Sequence, residues 1–352
     1  MRVWLVLLAL CVCADAAPKW SATAAAKYLD QRAAWWETWP ASQRDHQTVC
    51  VSCHTILPYV LARPRLSALL AETNVAAPER TVLENVKKRV SLWQEVKPYY
   101  SDEKSGAGKA KESRSTEAVL NALVLAANAA GEKRLDATAQ AAFRAAWALQ
   151  IQSGDRAGAW DWQVFHLAPW EAVESQYQGA TFMALAVAWA PGHYRADPGI
   201  QPNLRLLRSY LKREYASQPL LNRIVVLWAS AKLPGLFSSK EKRELVETIL
   251  KQQQSDGGWS LASLGTWIRS DHTPQKTASD GYATGLITLA LARTHAGHAR
   301  ETARAWLETH QSSEDGSWRA YSLNKNRNPA TDAGKFMTDA ATGYAVLALA
   351  PR

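Results

Sequence analysis

Three times this chain runs from glutamine through an acidic or glycine-containing turn into tryptophan. Two copies are near-complete: Gln252-Gln253-Gln254-Ser255-Asp256-Gly257-Gly258-Trp259 and Gln311-Ser312-Ser313-Glu314-Asp315-Gly316-Ser317-Trp318. A looser one runs from Gln150-Ile151-Gln152-Ser153-Gly154 to Trp160. Each ends an amphipathic run, at 139–152, 241–254 and 300–311. Each therefore reads as the C-terminus of a helix entering a turn in which glycine relieves the left-handed cap. A second kind of helix recurs along the chain, apolar, rich in small residues and polar at its start: 115–126, 174–188, 279–292 and 338–350. Ser, Thr and Asp at these starts fit N-caps. Helices apolar on every side must be buried, so the polar-faced ones lie outside them.

The starts at 115 and 174, and those at 279 and 338, are each 59 apart, since 174−115 and 338−279 are equal. The gap between 174 and 279 leaves room for one more unit, which 222–231 fills. One step before 115 falls near 56, inside the segment 50–62. Six inner helices result. Six amphipathic candidates ring them, at 22–37, 79–96, 139–152, 203–215, 241–254 and 300–311. No strand-like alternation competes over any long stretch. The expectation is an all-α chain, an (α/α)6 toroid forming one domain over 17–352. The helix at 22–37 would close the ring beside the last hairpin.

The Gln…Asp-Gly-Gly-Trp copies resemble the QW repeats of the squalene/hopene cyclases, which share their α/α toroid with protein prenyltransferase β-subunits. The resemblance implies a terpenoid cyclase/prenyltransferase-like fold. It also implies that Gln254 with Trp259, and Gln311 with Trp318, tie the end of an outer helix to its neighbour; carbohydrate stacking by these Trp side chains is the other reading. It does not make the chain a bona fide cyclase. No Asp-x-Asp-Asp acid occurs, and Asp271, Asp280, Asp332 and Asp339 stand isolated. Alkene protonation needs a coupled carboxyl cluster. Prenyltransferase zinc is held by Asp, Cys and His, and the mature chain has no cysteine to spare for it.

Arg2, the apolar run 3–12 and the small-x-small site Ala14-Asp15-Ala16 read as a signal peptide over 1–16, with Ala17 starting the mature chain. The run is too short for a permanent membrane span, and no other stretch is long and apolar enough. Of four cysteines, Cys11 and Cys13 leave with the signal. The other two sit in Cys50-Val51-Ser52-Cys53-His54, the C-x-x-C-H pattern of covalent c-type haem attachment. There the two thiols bond the haem vinyl groups and the histidine is the proximal iron ligand, here His54. A disulfide and half of a zinc site are the competing readings. Zinc needs about four ligands, and a redox CxxC expects a βαβ context that is absent here. Placing the motif at the start of the first inner helix sets it at the end of the barrel where the Gln…Trp turns lie. Met337, His46 and His272 are then the candidates for the distal iron position, beside an open or water-bound iron.

With 41 Lys plus Arg against 32 Asp plus Glu, the chain carries +9. No basic run is long enough for a nucleic-acid signature. Nucleophile-elbow, P-loop, dinucleotide and His-Glu-x-x-His motifs are absent. Two functions follow. The first is a secreted or periplasmic c-type haem protein doing electron transfer or haem-dependent redox chemistry at the cavity mouth. Its expected partners are a periplasmic redox protein and a small-molecule ligand in the cavity. The second is a haem-free enzyme or binder of isoprenoid or polysaccharide, with Cys50–Cys53 as a disulfide. Glu174, Asp280 and Asp339, each at an inner-helix start, would be its carboxylates, although N-capping accounts for all three. The sequence names no catalytic residue.

Overall fold

The structure, a computed structural model, describes residues 20–350. The expected signal peptide, with Cys11 and Cys13, lies outside the described residues. Thirteen α-helices and one two-stranded sheet make up the regular structure among them. Six helices are apolar and deeply buried: α2 (Ile56–Leu69), α5 (Lys109–Asn128), α7 (Ser175–Trp189), α9 (Leu220–Ser230), α11 (Gly281–Ala290) and α13 (Phe336–Leu349). Every residue of α11 is buried, as is every residue of α13 from Met337 onward. Six others bury one stripe each: α1 (Ala22–Thr38), α3 (Ala77–Ser91), α6 (Ala137–Ala148), α8 (Gln201–Arg213), α10 (Ser239–Leu250) and α12 (Gly297–Thr309). In α8 the stripe is Leu204, Leu207, Tyr210 and Leu211, the helical spacing of an element with one face on a core. The short α4 (Asp102–Ser105) lies between α3 and α5.

The buried helices contact one another in chain order, α2 to α5, α7, α9, α11 and α13, and α13 contacts α2. Small residues let them approach. A Cβ on Gly285 would meet the α13 backbone at Ala345, and one on Gly343 would meet Pro58 of α2. Each amphipathic helix packs outside this set, α1 against both α2 and α13.

The Gln…Trp turns do one job three times. The indole N–H of Trp160, Trp259 and Trp318 donates to the carbonyl of Ala146, Ile249 and Leu307, in the last turns of α6, α10 and α12. All three indoles are fully buried. The glutamine amide bridges its own turn to the start of the next outer helix. Gln150 donates to Gly158 and Asn203, Gln253 to Gly257 and Ala299, and Gln311 to Gly316 and Ser21. The pairing of Gln254 with Trp259 is therefore corrected by one residue. Gln253 ties the turn, while Gln254 donates to Thr277 in the following connector. Gly316 has φ +80° and faces the Ala24 backbone, so a side chain there would be both strained and blocked.

Candidate functional site

Cys50-Val51-Ser52-Cys53-His54 lies ahead of α2 rather than within it. A small hairpin, β1 (Gln43–Arg44) paired with β2 (Thr48–Val49), delivers the chain to the motif. Asn85 of α3 clasps its exit, accepting from Val49 N at 2.7 Å and donating to Val49 O at 2.8 Å. The buried Arg89 supports the hairpin from below, bonding Thr48 Oγ1 at 2.6 Å and the Glu117 carboxylate. The motif's backbone is then held by groups outside α2. Cys50 N donates to Ser42 O, Trp36 Nε1 donates to Cys50 O at 2.7 Å, and Val51 N donates to the Tyr99 hydroxyl. Ser52 Oγ accepts from Thr55 N and Ile56 N and starts the helix after the motif. These side-chain bonds compete with helical pairing, which is why α2 begins at Ile56 and not at Cys50.

His54 is fixed by a buried chain of hydrogen bonds. Its Nδ1 lies 2.8 Å from Thr55 Oγ1, and the Thr55 hydroxyl donates to Asp339 Oδ2 at 2.7 Å. A hydroxyl has one proton to give. With that proton on Asp339, His54 Nδ1 is the donor and Nε2 keeps its lone pair. The other Asp339 oxygen accepts from Arg32 Nε at 2.8 Å and the Tyr28 hydroxyl at 2.7 Å. Arg32 continues to Asp332. Burial raises the Asp339 carboxyl above its ordinary range, against Arg32 and these hydrogen bonds. Burial, together with Arg32 and Arg327, pushes His54 down to about 3, so the ring is neutral at physiological pH. Phe336 stacks on it with centroids 3.9 Å apart, Trp36 meets it edge-on at 5.0 Å, and Trp170 lies at 5.6 Å.

Cys50, Cys53 and His54 line one cavity of about 220 Å³ that opens to solvent. Trp36, Trp39, Trp170 and Phe336 supply apolar walls, and the connectors 163–174 and 318–335 cover it. Asn324 staples these covers together, donating to Ala168 O at 2.7 Å and accepting from Ala168 N at 2.8 Å. Neither cysteine forms a disulfide. Burial raises Cys50 to about 11 and Cys53 further still. Both remain thiols at neutral pH, unlike the electropositive setting that makes a redox CxxC reactive.

Of the three distal candidates, Met337 lines this cavity from the first turn of α13. His46 is exposed in the hairpin turn beside Asp45, and His272 is exposed in the connector after α10; neither lines the cavity. Two further lining residues carry charge and sit in no motif: Glu171 and Arg327. Burial lifts the Glu171 carboxyl to about 7. The only sequence signal for either was its place on a connector at the motif's end of the chain repeat.

The three carboxylates considered for a hydrolase do not face one another across the cavity. Asp280 is the N-cap of α11, accepting from Ala283 N, and Asp339 is locked in the Arg32 network. Glu174 makes no side-chain cap, which corrects the N-cap reading for that residue. Asp339 lies inside the first turn of α13 rather than at its cap, a second correction. Among the described residues no group of three or more His, Cys, Asp or Glu could hold a metal ion, and no helix is long and apolar enough to cross a membrane.

Compared with known proteins, the chain matches no family model and no curated protein.

Proposed function

We propose that the chain is an exported c-type haem protein, secreted or periplasmic, whose buried and outer helices form a single (α/α)6 toroid of the squalene cyclase-like kind. The haem would be held at one mouth and used for electron transfer or redox chemistry. The observation that carries this reading is the convergence of Cys50, Cys53 and His54 on one cavity, with both thiols free and His54 fixed in the neutral tautomer that leaves Nε2 for a metal. Metal-ligating histidines characteristically donate their other N–H to an oriented acceptor, and the Thr55–Asp339 chain supplies one. The closed order of helix contacts supports the toroid.

The donor set fits a haem. Cys50 and Cys53 would each add S–H across a vinyl group, with no leaving group, and His54 Nε2 would be the proximal ligand. When bound, the group supplies a one-electron iron couple, tuned by its axial ligands and burial. The aromatic walls suit a planar apolar ring. The enclosed volume is below the ~300–1,000 Å³ usual for ligand sites, so accommodation involves the open side and the two covering connectors. Met337 is the cavity-lining candidate for the distal position.

The test is the visible spectrum of protein expressed with periplasmic haem attachment. A reduced α-band and haem that survives acid-acetone extraction support the reading. A colourless, correctly folded protein overturns it.

A further inference from the structure

A row of five aromatic rings leads away from the motif cavity through the buried helices. Trp170 lines the cavity and lies 5.6 Å from the His54 ring. It meets Tyr282, in the first turn of α11, at 5.9 Å, and Tyr282 meets Tyr344 of α13 at 5.1 Å. Tyr344 meets Trp228, in the last turn of α9, at 6.2 Å, and Trp228 meets Trp189 at 5.6 Å. All four ring contacts of the row are edge-on. The first four rings are buried, and Trp189 is partly exposed. Trp189 is the last residue of α7, whose start follows the connector over the cavity. The 15 residues of α7, at ~1.5 Å each, set that exposed ring about 22 Å along the helix from its cavity end.

Packing does not require these residue types. Phenylalanine or leucine fills a core with no polar tip to satisfy. Every ring of the row is instead an indole or a phenol, the two aromatic side chains that give up a single electron most readily. A phenol does so only when a base takes its proton. Burial raises Tyr282 and Tyr344 above their ordinary range, and no carboxylate or imidazole bonds either hydroxyl among the described residues. The three indoles are therefore the stations of the row, and the two phenols are the medium between them.

We propose that single electrons cross the protein along this row, from a one-electron reductant at Trp189 to a peroxide being reduced in the cavity. The proposal rests on the haem reading, because the bound group supplies the peroxide chemistry. An indole yields an electron only to a strong oxidant, so the oxidant is a peroxide and not a partner cytochrome. Hydrogen peroxide takes two electrons and two protons, its O–O bond breaks, and two waters form. Each electron leaves Trp170, which is refilled from Trp228, Trp228 from Trp189, and Trp189 from the external reductant. The protons come from solvent through the open side of the cavity, and no bond within the row is made or broken.

The experiment uses the full, periplasmically matured chain as wild type, Trp228→Phe, Trp189→Phe and, outside the row, Trp93→Phe. The visible spectrum and melting temperature of each are recorded first. Limited hydrogen peroxide is then added without a reductant, and oxidised tryptophans are located by peptide mass mapping. The unmatured chain, treated alike, measures direct attack from solution. In wild type and W93F, oxidation should accumulate at Trp189, where the row meets solvent. In W228F it should fall at Trp189 to the level of the unmatured chain and build up at Trp170. In W189F, which alters only a partly exposed ring, it should stop at Trp228. If W228F does not mature, W189F decides: oxidised Trp228 upholds the row, and unmodified Trp228 removes it. Oxidation confined to Trp36 and Trp39 of the cavity wall, or unchanged at Trp189 in W228F, overturns the proposal and leaves the haem reading standing. A colourless protein overturns the haem reading, and this proposal with it.

Discussion

Replacing Thr55 by valine tests the hydrogen-bond chain behind His54 with almost no change of shape. Thr55 is 1% exposed and makes two bonds that matter, accepting from His54 Nδ1 and donating to Asp339 Oδ2. Valine removes both. The bond to the carboxylate contributes about 1.5–3 kcal/mol, and the His54 N–H left unpaired in a buried site costs about 1–3 kcal/mol more. Asp339 keeps Arg32 and Tyr28, so its charge stays compensated. The expected loss is on the order of 3 kcal/mol, read as a lower urea midpoint at unchanged slope. The same change frees the imidazole to rotate. Loss of an oriented second partner typically weakens a metal–histidine bond about 10- to 100-fold. If the protein carries the proposed haem, added imidazole should displace His54 at correspondingly lower concentration. Thr55→Ser retains the hydroxyl and should stay near wild type in both assays. If T55V loses less than about 1 kcal/mol, or T55S falls as far as T55V, the Thr55 hydroxyl does not hold the ring.

Trp259→Ala and Trp318→Ala should each cost about 3–5 kcal/mol, as for a buried aromatic, and lower the melting temperature without abolishing haem attachment; preserved stability with lost ligand binding would show that the indole serves a ligand. Gln253→Ala should destabilise by about 1–2 kcal/mol more than Gln254→Ala, because only Gln253 reaches the next outer helix; equal losses would restore the pairing of Gln254 with Trp259. If the chain carries the proposed haem, Met337→Ala should change its visible spectrum or its cyanide affinity, whereas His46→Ala and His272→Ala should leave both untouched. Burial alone lifts the Glu37 carboxyl to about 7. The folded state therefore holds its proton more tightly than the unfolded state, and stability falls as pH rises from the ordinary carboxyl range through about 7. Glu37→Gln should match wild type near pH 4 and exceed it at pH 8 by roughly 1 kcal/mol, after allowance for partial exposure; equal stabilities at pH 8 would refute this.

The helices were legible in the sequence because their two kinds differ on every face. The run 279–292 is apolar all round and the run 241–254 is apolar on one stripe; the observed α11 lies inside the first span, and α10 overlaps the second but starts two residues before it, at Ser239. The C-x-x-C-H motif was legible because it needs only five consecutive residues. Its conformation was not, since Trp36, Asn85 and Tyr99 hold it from elsewhere in the chain. Nor did the local pattern distinguish Gln253 from its neighbours, because all three glutamines at 252–254 suit a helix end. Arg327 and Glu171 sit in connectors without periodicity, so their meeting in one cavity depended on how two loops cross, which spacing does not encode.

The hydrogen bonds between Gln311 and Ser21 span 290 residues, and the Arg32–Asp339 pair spans 307. As the chain is synthesised, the helix 22–38 emerges early and its partners at Gln311, Asp332 and Asp339 emerge last. It must wait, unpaired along one flank, for nearly the whole chain. Residues 50–54 emerge soon after it, while the covering connectors 163–174 and 318–335 do not yet exist as neighbours. A group attached to Cys50 and Cys53 at that stage meets an open segment and is enclosed later, when Asn324 reaches Ala168. The order of synthesis thus leaves Cys50 and Cys53 accessible to a group of the proposed kind before the two connectors that line the cavity are present.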